Sequence, residues 1–184
     1  MDSSTKPRRR RVRLRDYDYT SSGYYFVTIC TCDRRCLFGE VVDGLMHLNE
    51  VGTTVQEYWC AIASQCLTVA LDQYVVMPNH LHGIVRLNGV VVEEEKGAMN
   101  RTPTDGSAVG AQFIAPSLGE VVRAFKARCT FVLRKAFLVE GSLWQRNYYE
   151  HVIRSDASLR AIREYVANNP MHWHLDRENP DRVR

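Results

Sequence analysis

The spacing of apolar positions changes along the chain, and each change marks an element. Tyr24-Tyr-Phe-Val-Thr-Ile-Cys-Thr31 is dense in aromatic and β-branched residues, which fit a pleated surface and predict a strand. Asp33-Arg34-Arg35 reads as a turn, and residues 37–48, interrupted at Gly39 and Gly44, predict one shorter strand. Over 50–65 the period lengthens. Val51, Val55, Tyr58, Trp59 and Ile62 fall on one side of a helix. Leu67 to Val76 predicts a strand, Met77-Pro78-Asn79 a bend, and Leu81 to Leu87 a further strand. The pattern lapses across 88–116, where Glu93-Glu-Glu95, glycines, prolines and small polar residues predict a long loop insertion. Ser117 and Glu120 form a capping box that opens a helix to about Phe137, with Val122, Phe125, Cys129, Val132, Leu133 and Ala136 as its apolar stripe. Residues 144–154 supply a short extended piece. Ser155 or Asp156 caps a final helix with Leu159, Ile162 and Val166 on its buried face, and Asn169-Pro170 ends it. This order predicts an α+β fold, ferredoxin-like or RRM-like, in which helices cover an antiparallel sheet.

Composition adds limits. A chain of 184 residues, 45% hydrophobic and 24% charged, suits one soluble domain with a buried core. The expected organisation is a basic flexible tail at 1–19, a domain at 20–175 containing the 88–116 loop, and a short tail at 176–184. No apolar run approaches the roughly 18 residues of a membrane span, and no apolar stretch follows the basic N-terminus as in a secretory signal. Net charge is only +3, but Lys6, Arg8, Arg9, Arg10, Arg11, Arg13 and Arg15 crowd into ten positions, a run that suits phosphate. Cys30, Cys32, Cys36, Cys60, Cys66 and Cys129 contain no CxxC pair, which fits free thiols in a reducing cytosol better than zinc or disulfides.

The chemistry centres on His80-x-His82. In a strand, residues i and i+2 share a face, so both imidazoles project from one side while Leu81 turns to the other. They are a ready pair of nitrogen ligands for a divalent metal. Tyr165 and Asn169 stand four apart on the last helix, at the rim of its buried face. A phenol can attack phosphorus, and an amide oxygen can bind a hard cation. Two neutral imidazoles and an amide leave the cation's charge uncompensated by protein, so a phosphate becomes its anionic partner, and Mg²⁺ or Mn²⁺ fits that role. The phenol, with an ordinary pKa near 10, must be helped to lose its proton before attack. Tyr148 and Tyr149 are rival nucleophiles without a partner at i+4.

Three blocks recur in order: Val75-Val-Met-Pro-Asn-His-Leu-His82, Trp144-Gln145 with Glu150-His151-x-Ile153-Arg154, and Tyr165-x-x-x-Asn169-Pro170. With them the chain resembles the HUH single-tyrosine transposases, closest to the REP-associated tyrosine transposase group, over roughly residues 20–175. The resemblance implies an HUH motif on a central strand and a metal-dependent endonuclease and strand transferase for single-stranded DNA. In that reading His80, His82 and Asn169 hold the ion. Tyr165 attacks the scissile phosphate, leaving a 5′-phosphotyrosine and a free 3′-OH. Members of the group recognise hairpins of palindromic repeats. Arg8, Arg9, Arg10, Arg11, Arg123, Arg146 and Tyr148 are the candidate DNA contacts. Such enzymes act as monomers or as swapped homodimers, and both arrangements stay open. The expected place of action is the cytoplasm, at the nucleoid. The competing reading is a non-catalytic nucleic-acid-binding module of the same fold.

Overall fold

The computed structural model describes residues 20–89, 116–138 and 140–182. The basic run, with Arg8, Arg9, Arg10 and Arg11, and most of the expected 88–116 loop lie outside the described residues. In chain order the elements are β1 (Gly23–Cys30), β2 (Gly39–Val42), β3 (Leu45–Leu48), α1 (Glu50–Gln65), β4 (Val69–Val76), β5 (His80–Leu87), α2 (Leu118–Phe137), β6 (Tyr149–Ile153) and α3 (Asp156–Asn168). A 3-10 helix, Pro170–Leu175, follows α3. The fold is α+β, as the sequence predicts.

The main sheet runs β4-β5-β1-β6, with every neighbouring pair antiparallel. β1 and β4 are therefore parallel and separated by β5, while β5 and β6 are parallel and separated by β1. These are the two interleaved split βαβ units of a ferredoxin-like sheet. Alternation along β1 assigns the two faces. Tyr25, Val27 and Ile29 point into the larger core, under Val55 and Trp59 of α1 and Val122, Phe125, Cys129 and Leu133 of α2. Phe26 points the other way, into a smaller core with Ile84, Ile153, Leu159 and Val166 under α3.

The helix starts follow their sequence signals. Asn49 caps α1 by accepting from Gly52 N at 2.9 Å. Both halves of the capping box form at Ser117 and Glu120, and Ser155 caps α3. One expectation is corrected. Residues 37–48 make a two-stranded hairpin separate from the main sheet, not a single strand. Asp43 (φ 51°) and Gly44 (φ 75°) are both left-handed at its turn, which is the backbone an Asp-Gly pair favours in a two-residue hairpin. A Cβ on Gly44 would lie 3.3 Å from Met171 Cγ, so the hairpin turn also rests against the 3-10 helix.

Within the stretch expected as a short tail at 176–184, residues 176–182 include the buried Asp176 and Asn179. No helix among the described residues is long and apolar enough to cross a membrane.

Candidate metal and nucleophile site

β5 is an internal strand held by β1 and β4, and this fixes where its side chains point. Leu81 enters the larger core, while His82 stacks on Phe26 of the α3-facing side, ring centroids 5.3 Å apart. The His80 and His82 rings lie 4.4 Å apart by centroid, and both residues are buried. Each ring is anchored through Nδ1. His80 Nδ1 lies 2.9 Å from Asn79 Oδ1, and His82 Nδ1 lies 2.9 Å from Thr28 Oγ1. Such outer contacts orient a ligating imidazole and leave its Nε2 for the metal.

Two elements bring further groups to the Nε2 atoms. From α3, the Tyr165 hydroxyl lies 3.2 Å from His82 Nε2, and it donates there when His82 carries its proton on Nδ1. Tyr165 remains half-exposed, with its ring edge-on to Phe26. From the folded C-terminal stretch, Asp176 Oδ2 lies 3.9 Å from both His80 Nε2 and His82 Nε2. Burial raises the Asp176 carboxyl's affinity for a proton. The neighbouring His82 and His80 imidazoles, with hydrogen bonds from the Glu178 backbone N–H and the Asn169 amide, outweigh burial and hold the carboxyl well below the usual carboxylate range. The Glu178 and Asn169 donors act whatever the charge of the imidazoles, so the carboxylate is ionised. Burial and the neighbouring His82 push His80 far below its ordinary value against the pull of Asp176, and it stays neutral. Burial and the Asp176 carboxylate raise the Tyr165 phenol, and a hydrogen bond with Asn169 opposes them.

The residues fit a divalent cation. His80, His82 and Asp176 offer ligand atoms that all lie within 4.8 Å of one another. Around a small hard cation, with ligands at about 2.1 Å, neighbouring ligand atoms stand about 3 Å apart, so the carboxylate needs to close by about 1 Å. His80 Nε2 and Asn169 Oδ1 are buried with no hydrogen-bond partner among the described residues. An unpartnered lone pair in a buried position is costly, and a cation removes that cost.

The sequence-predicted residues are placed as follows. His80, His82, Tyr165 and Asn169 come together in one chain. Asn169 is not on a rim; it is buried, with its Nδ2 donating to Asp176 Oδ2 at 3.2 Å. Asp176 was not anticipated. The charge deficit of two neutral imidazoles and an amide calls for an acid, but nothing local singles out Asp176, which caps the 3-10 helix after α3. Tyr148 and Tyr149 line a cleft of about 450 Å³ beside Tyr165, with Phe26, Gln145 and Arg177 also in its wall. Arg146 is exposed and Arg123 lies on α2, across the sheet from the histidines. Arg123 shares a groove with Lys126, Arg134 and Trp144, but two of these bases are committed to the chain itself. Lys126 Nζ donates to the carbonyls of Gln145 and Asn147, each at 3.0 Å, and Arg134 donates to that of Gly141. Lys126 thus positions the segment that carries Tyr148, and burial lowers its pKa to about 8.

No family model matches the chain. An uncharacterized protein of Haemophilus influenzae is 40% identical over 169 residues, which cover 91% of each chain. Among solved structures, a REP-associated tyrosine transposase bound to a REP hairpin superposes with a TM-score of 0.55 at 18% identity, covering 88% of this chain and 73% of that one. A crystal structure described as a putative transposase from Deinococcus radiodurans has a TM-score of 0.45 at 18% identity, covering 85% and 95%. The chain belongs to one family with the Haemophilus influenzae protein, and its fold is that of a REP-associated tyrosine transposase.

Proposed function

We propose that the protein is a metal-dependent endonuclease and strand transferase for single-stranded DNA, acting on hairpin-forming palindromic repeats through a 5′-phosphotyrosine intermediate. The observation that carries this reading is the approach of the Tyr165 hydroxyl to within 3.2 Å of His82 Nε2, beside His80 and Asp176 of the same chain. A phenol placed at a cation-binding cluster is what phosphoryl transfer to tyrosine requires. His80, His82 and Asp176 would hold Mg²⁺ or Mn²⁺, with Asn169 Oδ1 as a further oxygen donor, and the bound ion supplies Lewis-acid polarisation of the scissile phosphate.

The chain's own groups do the rest. Tyr165 Oη forms a bond to phosphorus, the bond from phosphorus to the 3′ oxygen breaks, and the phenol's proton ends on the released 3′-OH. A second 3′-OH attacking the same phosphorus reverses the step and joins strands without ATP. His82 Nε2 has one lone pair, so it would serve either the phenol or a bound ion, and with an ion held there the Tyr165 hydroxyl would be free to meet phosphate in the cleft. Tyr148 and Tyr149 offer stacking surfaces to the unpaired strand, while Arg146 and the basic run with Arg8, Arg9, Arg10 and Arg11 contact phosphate. The work is done in the cytoplasm, at the nucleoid.

The test is incubation of the protein with labelled single-stranded hairpins and Mg²⁺, followed by a denaturing gel. A slow-migrating covalent species is expected, lost in Tyr165→Phe and in EDTA. Hairpin binding with no cleavage in either Mg²⁺ or Mn²⁺ favours the non-catalytic module.

A further inference from the structure

Asn79 lies in the bend between β4 and β5 and is fully buried. Its Nδ2 donates both hydrogens to carbonyls, those of Arg34 at 3.0 Å and Glu178 at 2.7 Å. Carbonyls only accept, so these two contacts decide which end of the amide is nitrogen. The flipped amide would press its oxygen against two carbonyl oxygens. Oδ1 therefore faces His80 Nδ1, 2.9 Å away. An amide oxygen cannot donate, so Nδ1 must carry the ring's hydrogen. A neutral imidazole has only one, which leaves Nε2 as a bare lone pair.

Without Asn79 the balance tips the other way. Asp176 Oδ2 lies 3.9 Å from His80 Nε2, and a carboxylate attracts an N–H. Left to that neighbour, the ring favours the Nε2–H tautomer, which hides the lone pair a metal needs. Asn79 overrides the pull, because the Nε2–H form would set two acceptors, Oδ1 and Nδ1, against each other at 2.9 Å. The same side chain also reaches the strand's acidic partner. Glu178 is held through its carbonyl by Asn79 and through its N–H by Asp176 Oδ1 at 2.7 Å, so one amide links the histidine strand to the segment that brings the carboxylate.

We infer that Asn79 is a positioning residue that fixes His80 in the metal-ready Nδ1–H tautomer and joins it to the Asp176–Glu178 segment. The inference rests on the reading of His80 as a ligand, but its main test needs neither metal nor DNA. The backbone of Asn79 is held separately, its carbonyl accepting from Thr31 N at 2.8 Å, so a change of side chain leaves the bend anchored.

The experiment is NMR of isotope-labelled histidine in the metal-free, full-length protein at neutral pH, with Mn²⁺ affinity measured by calorimetry alongside. In the wild type, His80 is expected as the Nδ1–H tautomer. In Asn79→Ala it is expected to shift to Nε2–H, with Mn²⁺ affinity down about 10- to 100-fold, as for loss of an outer-shell partner. Asn79→Asp separates the two jobs. Its carboxylate still accepts from Nδ1–H, so the tautomer is kept, while its second oxygen, set against the carbonyls of Arg34 and Glu178, repels that segment and speeds amide exchange at Glu178. A wild-type His80 already in the Nε2–H form overturns the inference, and so does an Asn79→Ala protein that keeps both tautomer and affinity. If Asn79→Ala does not fold, the wild-type spectrum and Asn79→Asp decide. Absence of DNA cleavage with the expected tautomers removes the proposed function and leaves this role standing.

Discussion

Gly83 sits between His82 and Ile84 on β5, and its missing side chain faces α1. A Cβ at this position would lie 2.3 Å from Trp59 Cζ2, 3.0 Å from Cε2 and 3.1 Å from Cη2. Carbon atoms in good contact stand about 3.5–4.0 Å apart, so the indole must retreat by more than 1 Å. It has nowhere to go: Trp59 is fully buried and meets Phe125 edge-on at 5.2 Å between centroids. Gly83→Ala should therefore cost about 3 kcal/mol, the upper end for overpacking. The three crowded atoms all belong to the six-membered ring of the indole, which suggests a rescue. Trp59 Nε1 is buried with no hydrogen-bond partner among the described residues, so Trp59→Phe forfeits no hydrogen bond. Alone it leaves a cavity worth about 1–2 kcal/mol, and in the Gly83→Ala background the space is filled by the new methyl. Urea unfolding of the wild type, both single variants and the double variant, followed by circular dichroism, closes the cycle. A coupling of at least about 1 kcal/mol in favour of the double variant is expected. Strictly additive costs, or a Gly83→Ala penalty within about 0.5 kcal/mol of zero, refute the packing argument.

Other predictions bear on the site itself. Asp176→Asn keeps the shape but removes the only carboxylate of the cluster, and Mn²⁺ affinity by calorimetry should fall on the order of 100-fold, more than in Asn169→Ala; the reverse ranking makes Asn169 the principal third ligand. Because one chain brings Tyr165 to His82, a mixture of His82→Ala and Tyr165→Phe proteins should remain inactive on hairpin DNA, and restored cleavage would indicate a swapped dimer. Stability should also depend on pH with a definite sign. His80 and Asp176 are both shifted downward on folding, so each contributes stability above its unfolded pKa and loses it as pH falls. The metal-free protein should weaken below about pH 6.5, by up to about 1.4 kcal/mol per pH unit from His80, and again below about pH 4 from Asp176. His80→Gln should flatten the first limb in denaturation measured across pH, and a wild type that gains stability between neutral and mildly acidic pH contradicts the assignment.

What the sequence made legible were features written locally. The Ser117–Glu120 capping box and the spacing of Val122, Phe125, Cys129 and Leu133 define α2, and those residues are indeed its buried stripe. The alternation that turns His80 and His82 together, with Leu81 away, needs only the pleat of a strand. Gly44 read as an interruption, although Asp43-Gly44 is a two-residue turn signal, because the flanking strands are only four residues each and half-exposed. Asp176 and Asn79 were illegible for a different reason. Their roles depend on contacts across 94 or more positions of sequence, from Asp176 to His82 and from Asn79 to Glu178, and no periodicity reports such closure. Arg123 looked free to grip DNA beside the site, but helix period alone does not say which face of a sheet a helix covers.

The central claim is that the phenol of Tyr165 is the group that attacks phosphorus at the cluster of His80, His82 and Asp176. Protease digestion of the covalent protein–DNA species formed with Mg²⁺, followed by mass spectrometry of the nucleotide-bearing peptide, reads this directly. The account predicts a phosphodiester on Tyr165 of the α3 peptide. A nucleotide carried by Tyr148 or Tyr149 contradicts it.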